Sequence, residues 1–476
     1  MRRVAIIGAG ITGLAAAYRL RELAGTRNFP LEVLVLDRAA QAGGPLATVH
    51  RDGFNIETGA DSFLTEKPQA AELARRLGLG GEIIPTLEEF RRTQVVHNGR
   101  LVDIPDGFSL MAPARLGPLM KSKLFTPAAK LRIALEPFVP TRKDRRDESL
   151  AAFVTRRLGR ELLERVAQPL AGGIYTADPS RLSIAATTPR FVEMERRYGS
   201  VIRGLRAAER ARAATGANTA GTSGARWTLF ATLREGIGAL PDALAASLGE
   251  CVTLGVEVKQ ITPRTHGCTI VTDRGEQIAS DAVICAAPAF AAARMIRDAS
   301  SHLAELLGAI RYASAATVSM TFRECDFPEK PSSFGFVVPI IERRKIIAGS
   351  FTSLKFENRA PAGMILARVF LGGQLQAAMM QLDDEAMLAA AREEFSELLG
   401  VSAPPALAVV KRWPESMPQY EVGHLDRVAE IERAAARLPR VIFAGAAYRG
   451  VGIPDCIRSG EQAAAAILDL LTHDQQ

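Results

Sequence analysis

Aromatic residues are scarce in this 476-residue chain, at 6%, which argues against nucleic-acid platforms built on stacked bases. Cysteine is scarce too. Cys251, Cys268, Cys285, Cys325 and Cys456 are odd in number, far apart and never in a C-x-x-C pair. That argues against a disulfide framework or a cysteine zinc site and fits a reducing, cytoplasmic setting. The histidines (His50, His97, His266, His302, His424, His473) show no metal spacing, so no metal is expected. Neither an acid/base pair nor a nucleophile triad stands out, and no catalytic side chain is assigned. No apolar run approaches the roughly 20 residues that span a bilayer. The opening MRRVAIIGAG passes directly into a strand, so neither a signal peptide nor a transmembrane anchor is expected. Peripheral membrane contact stays open. There is no repeat of solenoid period.

What is present is apolar material for several cores. Hydrophobic residues make up 47% and charged residues 23%, and the length implies two or three domains. The net charge of +7 is uneven. Between Arg115 and Arg165 there are 13 Lys/Arg against 6 Asp/Glu, densest at Arg142-Lys143-Asp144-Arg145-Arg146. Such a run is either a solvated helical surface or an attractor for an anionic substrate or membrane.

Val4-Ala5-Ile6-Ile7 reads as a buried parallel strand, Leu14 to Leu23 as a helix and Leu31 to Leu36 as a second strand. Residues 100 to 210 read as mostly helical. Ala211 to Ala225, small and low in complexity, reads as a linker or flexible loop. Strand patterns return over 252–284 and 312–372, a helix is expected over Asp383 to Leu399, and the chain closes with strand, glycine-rich turn and Ala-rich helix to about Leu471.

Gly8-Ala9-Gly10-Ile11-Thr12-Gly13 is a G-x-G-x-x-G set between strand and helix. Gly8 permits the tight turn, Gly10 lets backbone approach a pyrophosphate, and Gly13 lets helix and strand pack closely, with the helix N-terminus on the phosphates. Asp37, 24 residues past Gly13, is placed for ribose hydroxyls. This much does not separate NAD from FAD. Gly43-Gly44, Glu57-Thr58-Gly59-Ala60-Asp61-Ser62 and, over 400 residues later, Gly445 to Asp455 do. Pro454 there suits the first turn of a helix whose positive end would face a flavin pyrimidine. An NAD domain needs no such distant element.

Taken together, VAIIGAGITGLAAAYRL, GADSFLTEKP, QPLAGGIYTADPSRLS, RWPESMPQY and AGAAYRGVGIPDCIRSGEQAA resemble the flavin monoamine-oxidase and protoporphyrinogen-oxidase superfamily. Within it, they resemble most the bacterial haem-biosynthesis oxidases of the coproporphyrinogen III type. The resemblance implies an α/β fold, α+β overall: a glutathione-reductase-type, Rossmann-like FAD/NAD(P)-binding domain with a mixed-sheet substrate domain and a helical domain. The expected segments are 1–69, 230–298 and 410–476 for FAD, 70–95, 211–229 and 299–409 for substrate, and 96–210 for the helical domain.

The resemblance places FAD pyrophosphate on Gly8, Ala9, Gly10, Ile11, Thr12 and Gly13. It places the adenosine ribose at Asp37 and Arg38, with Gly44 nearby, and puts Gly59, Ala60, Asp61 and Ser62 along the flavin. The adenine meets the backbone of Val258, and Trp413, Val451, Gly452 and Ile453 lie at the isoalloxazine end. Pro45 stands where the family usually has Lys or Arg, Gln41 replaces a common Arg and Ala60 a common Pro, so a cation near the cofactor does not carry over. The alternative reading of Trp413 is an ordinary buried aromatic, and the side chain of Val258 reads as core.

The implied chemistry is hydride removal from porphyrinogen meso carbons to flavin, with O2 reduced to H2O2, in three rounds. The cofactor supplies the reactivity, and the protein supplies orientation and electrostatics. Four propionates on coproporphyrinogen III against two on protoporphyrinogen IX would favour a basic cavity. Arg92 and Tyr175 are the substrate candidates, with Arg91, Arg181 and Arg190 as further cations. The alternatives are a protoporphyrinogen IX oxidase and, more remotely, an amine or carotenoid oxidoreductase or a non-enzymatic carrier on the same fold.

Overall fold

The computed structural model describes residues 1–144, 146–214, 229–438 and 440–474. Its organising element is a five-stranded parallel sheet in the order Val252–Leu254, Leu31–Asp37, Arg2–Ile7, Ala282–Cys285, Val441–Phe443. Strands from both ends and the middle of the chain therefore form one sheet. The central strand is apolar throughout its buried part because both faces are covered. Val4 and Ile6 face the helices Ile11–Thr26, Ala239–Leu248 and Ile453–His473, whereas Ala5 and Ile7 face a second core. That second core is roofed by the antiparallel strands Val258–Arg264, Gly267–Thr272 and Gln277–Ser280 and by the helices Ala289–Ile296, Ser301–Gly308 and His424–Ala435.

A seven-stranded mixed sheet runs in the order Leu407–Pro418, Tyr312–Arg323, Met364–Gly372, Ala348–Phe351, Gly335–Val337, Thr93–His97, Arg100–Asp103. The alternating run from Ala316 to Phe322 buries Val318, Met320 and Phe322 against the helix Asp384–Leu399, which Asp383 caps by accepting the Ala386 N–H at 2.8 Å. Leu407–Pro418 pairs along Tyr312–Arg323, so residues 410–418, expected on the flavin side, form the outer strand of this sheet. The hairpin Thr93–His97 and Arg100–Asp103 closes the opposite edge, and the helical region begins only at Leu116–Lys121.

Helices between Leu116 and Ala214 form a third core around Phe153, Val154, Leu158, Leu162, Phe191 and Ile202. The basic run is thus partly internal. Arg157 and Glu136 are completely buried and ion-paired, and Glu136 also accepts from the Ser200 hydroxyl and the Val201 N–H. The expected linker begins as helix, since Val201–Ala214 is helical. Its remainder, from 215, lies outside the described residues.

Candidate flavin site

At the carboxyl end of the central strand, Gly8 has φ +108° and its ideal Cβ would stand 3.1 Å from the Ala286 carbonyl, so only glycine fits. Gly10 begins the helix Ile11–Thr26 with no side-chain cap, and a Cβ added to it would meet nothing within 4 Å. A Cβ on Gly13 would lie 1.9 Å from the Gly8 carbonyl oxygen. Facing them is a second glycine loop. The Gly43 N–H donates to the Ala9 carbonyl at 2.8 Å, and a Cβ on Gly44 would come within 3.7 Å of the Gly10 Cα. Two loops thus offer backbone, without side chains, to one cleft outside the carboxyl ends of the strands, where dinucleotides bind.

Asp37 fixes this geometry. Its carboxylate accepts the Ala9 N–H at 2.6 Å and the Ala39 N–H at 2.7 Å, leaving each oxygen with further accepting capacity for hydroxyls. Arg38 beside it is exposed. Val256 N–H donates to the Asp37 carbonyl at 2.9 Å and Gly255 N–H to that of Ala39 at 3.0 Å, which brings the start of Val258–Arg264 to the same end. Val258 buries its side chain among Ala5, Ile7 and Leu36. A register shift between Val258 and Gln260 interrupts the ladder there.

The distant element folds onto the first. A Cβ on Gly445 would lie 3.5 Å from the Thr12 Oγ1, and one on Gly460 2.2 Å from the Thr12 carbonyl oxygen. Gly452 starts the helix Ile453–His473, again without a side-chain cap and with proline in its first turn. Val451 and Gly452 are half-buried and Ile453 is buried. Two uncapped helix N-termini therefore converge on the cleft, each carrying positive partial charge. Asp455, in the first turn of the second, pairs with Lys67 and Arg458, both at 2.5 Å, and so ties the GADSFLTEKP segment to this helix.

That segment is held from the mixed sheet. Arg368 donates to the carbonyls of Glu57 at 3.1 Å and Gly59 at 2.7 Å. Thr58 O accepts from Trp413 Nε1 at 2.7 Å and from the Thr317 hydroxyl at 3.0 Å. On the other side, a Cβ on Gly59 would stand 1.9 Å from the Pro45 carbonyl oxygen. Asp61 accepts from Lys355 at 2.8 and 3.0 Å, from Arg368 at 3.1 Å and from the Ser62 hydroxyl at 2.7 Å. Burial would push this carboxyl up, but the two cations outweigh it and hold it well below the usual carboxylate range. Ala60 is exposed. Sequence reading missed Lys355, at the end of the short helix Thr352–Lys355, and Arg368 and Thr317, in strands, because as single residues they carry no motif.

Of the substrate candidates, Tyr175 ends the helix Gln168–Tyr175 and donates to the Thr187 carbonyl at 3.2 Å. Burial pushes its hydroxyl up to about 12, with Asp455 adding to the shift and Arg190 opposing it. Tyr175 therefore lies within electrostatic reach of the start of the second helix. Arg92 is exposed just before the strand Thr93–His97, 3.8 Å from Asp103 on the neighbouring edge strand. Arg91 pairs with Glu88 at 3.1 Å and Arg181 with Glu421 at 3.0 Å, so these two cations are turned to other partners. No cluster of His, Cys, Asp and Glu able to hold a metal exists among the described residues.

An open glycine cradle between two uncapped helix starts, with the Asp37 carboxylate beside it, fits FAD and defines a flavin-dependent oxidoreductase. The chain belongs to the flavin-containing amine oxidoreductase family, whose sequence profile matches residues 11–468. It is 33% identical over 476 residues to the coproporphyrinogen III oxidase of Bacillus subtilis (strain 168), covering 99% of this chain and 98% of that one. It is 30% identical over 487 residues to the protoporphyrinogen oxidase of Bos taurus, covering 98% of each. A crystal structure from Exiguobacterium sp. 255-15, of a protein assigned as a protoporphyrinogen oxidase, superposes with a TM-score of 0.85 at 28% identity, covering 98% of both chains. Cyclohexylamine oxidase from Brevibacterium oxydans shares the fold, with a TM-score of 0.71 at 18% identity over 99% of each chain.

Proposed function

We propose that the protein oxidises coproporphyrinogen III to coproporphyrin III, removing six electrons that pass to O2 as H2O2 in haem biosynthesis. The observation that carries this reading is the full-length likeness to a bacterial coproporphyrinogen III oxidase at 33% identity, above the 30% with a protoporphyrinogen oxidase. The second reading, protoporphyrinogen IX oxidation, rests on that latter relative. When bound, FAD supplies a two-electron acceptor for hydride from the macrocycle. In this reading Gly8 to Gly13 and Gly44 hold the pyrophosphate, Asp37 and Arg38 the ribose, and the backbone at Val258 the adenine. Gly59 to Ser62, Trp413 and Val451 to Ile453 flank the ring, Tyr175 lies towards the substrate, and Arg92 is a propionate contact only at an outer rim. Turnover of both porphyrinogens with peroxide detection tests the reading. Coproporphyrinogen III is expected to react at least tenfold faster in kcat/KM, and reaction with protoporphyrinogen IX alone would overturn it.

We also propose that the protein is cytoplasmic, with peripheral contact to an anionic lipid surface. No helix among the described residues is long and apolar enough to cross a membrane. Met120, Leu131, Leu135 and Phe138 are exposed, Phe138 by 76%, and exposed Lys121, Lys123, Lys143 and Arg146 accompany them in the chain. Vesicles containing phosphatidylglycerol should sediment the protein and phosphatidylcholine vesicles should not. The double variant L131S/F138S should lose binding roughly tenfold or more. Equal sedimentation of variant and parent would rule this surface out.

A further inference from the structure

The glycine-rich loop between Val441–Phe443 and Ile453–His473 is braced by two buried side chains that the flavin site as described does not use. Tyr420 is 2% exposed and His424 fully buried, and their rings stack with centroids 3.9 Å apart. The Tyr420 hydroxyl donates to the Ala446 carbonyl at 2.6 Å and accepts the Gly450 N–H at 2.8 Å, so one oxygen closes the loop across its width. His424 Nε2 lies 2.8 Å from the Tyr448 carbonyl. A carbonyl can only accept, so Nε2 carries the proton.

The brace is anchored elsewhere. The Ser183 N–H donates to the Tyr420 carbonyl at 2.8 Å, the Val422 N–H to that of Arg181 at 2.9 Å and the Gly423 N–H to the Asp147 carboxylate at 2.9 Å. Gln419 donates its side-chain amide to the Tyr175 carbonyl at 3.1 Å. One short segment therefore grips the helical core, the end of the helix that carries Tyr175 and the loop that aims the second helix N-terminus. Burial holds the His424 imidazole down at about 4, against the favourable Tyr448 carbonyl, so near neutral pH it is uncharged and its other nitrogen, Nδ1, is buried without a partner.

We infer that Tyr420 and His424 are positioning residues for the redox cofactor: by fixing the 446–450 loop they aim the N-terminus of Ile453–His473 at the flavin pyrimidine. This rests on the placement of FAD in the cleft. The physical link is that the positive end of a helix stabilises the negative charge that builds on the flavin when it is reduced. Letting the loop relax would withdraw that stabilisation while leaving the pyrophosphate cradle at Gly8 to Gly13 intact.

The test compares wild type, Y420F, H424Q and H424L as purified flavoproteins, reading the visible flavin spectrum, the midpoint potential, and kcat and KM with coproporphyrinogen III. Y420F keeps the ring but loses both loop hydrogen bonds. It is expected to retain FAD, to show a lower midpoint potential with a shifted spectrum, and to lose roughly tenfold in kcat with KM unchanged, the size expected for about 1.4 kcal/mol. H424Q keeps a donor for the Tyr448 carbonyl and should stay near wild type, whereas H424L should follow Y420F. An unchanged potential and spectrum in Y420F and H424L, with only a lower melting temperature or an unfolded product, would overturn the inference. So would equal damage from H424Q and H424L. Wild-type protein that holds no FAD would instead refute the placement of the cofactor.

Discussion

Gly13→Ala is expected to yield a protein that is nearly colourless on purification. The new methyl would stand 1.9 Å from the Gly8 carbonyl oxygen and 3.3 Å from the Ile6 Cγ2, so the helix Ile11–Thr26 would have to move off the central strand. It has nowhere to go. On its other side a Cβ at Gly460 would already lie 2.2 Å from the Thr12 carbonyl, which shows how closely Ile453–His473 presses on it. Gly8 cannot yield either, because it is held at a φ of +108° with the Ala286 carbonyl 3.1 Å from where a Cβ would stand. Overpacking of this kind costs about 1–3 kcal/mol in a well-packed core. The displaced helix also withdraws its N-terminus from the proposed pyrophosphate position, so FAD affinity should fall roughly 100-fold or more, about 3 kcal/mol. Gly10→Ala is the control. Its Cβ meets no protein atom within 4 Å, so the fold should melt as wild type while the methyl intrudes on the ligand face and lowers affinity. Flavin absorbance per chain and fluorescence titration measure both. Full flavin content in Gly13→Ala would show that the strand and helix have slack that the geometry denies.

This cradle was the most legible part of the molecule, because its rules are local. Turn, helix start and following acidic residue fall within the stretch from Gly8 to Asp37, and the observed elements Arg2–Ile7, Ile11–Thr26 and Leu31–Asp37 cover the expected ones. The distal helix was legible for the same reason: Pro454 and the glycines before it mark a helix start wherever the chain has come from. The clamp on the 57–62 segment was not legible. Arg368 reaches it only because Met364–Gly372 pairs in register with Tyr312–Arg323, and no short-range pattern specifies a register. Trp413, expected at the ring, donates its indole N–H to the Thr58 carbonyl, a role that depends on Leu407–Pro418 joining the mixed sheet. The basic run misled in another way. Charge counting cannot distinguish Arg157, buried against Glu136, from the exposed Lys143 beside the same helices.

The clamp carries the second large effect. Arg368→Met should destabilise the protein by about 3–5 kcal/mol, the usual consequence of removing one partner of a buried ion pair. Arg368 is 3% exposed, and its loss strips donors from two carbonyls and one cation from Asp61. The pH dependence has a definite sign. Asp61 is held below its ordinary value in the folded chain. Its contribution is therefore complete above the unfolded carboxyl range near pH 4 and is lost as pH falls towards the folded value. With only Lys355 remaining, the folded value rises, the contribution shrinks, and release of flavin on acidification should begin at a higher pH than in wild type. Asp61→Asn separates charge from packing. If the Arg368–Asp61 pair acts as a unit, the double variant Asp61→Asn/Arg368→Met should lose less than the sum of the single variants, because the second change removes the charge that the first leaves uncompensated. Thermal melting and flavin fluorescence from pH 4 to 8 read both effects. Additive losses, with flavin release at the wild-type pH, would mean that Arg368 serves the 57–59 carbonyls alone and that Lys355 is sufficient for Asp61.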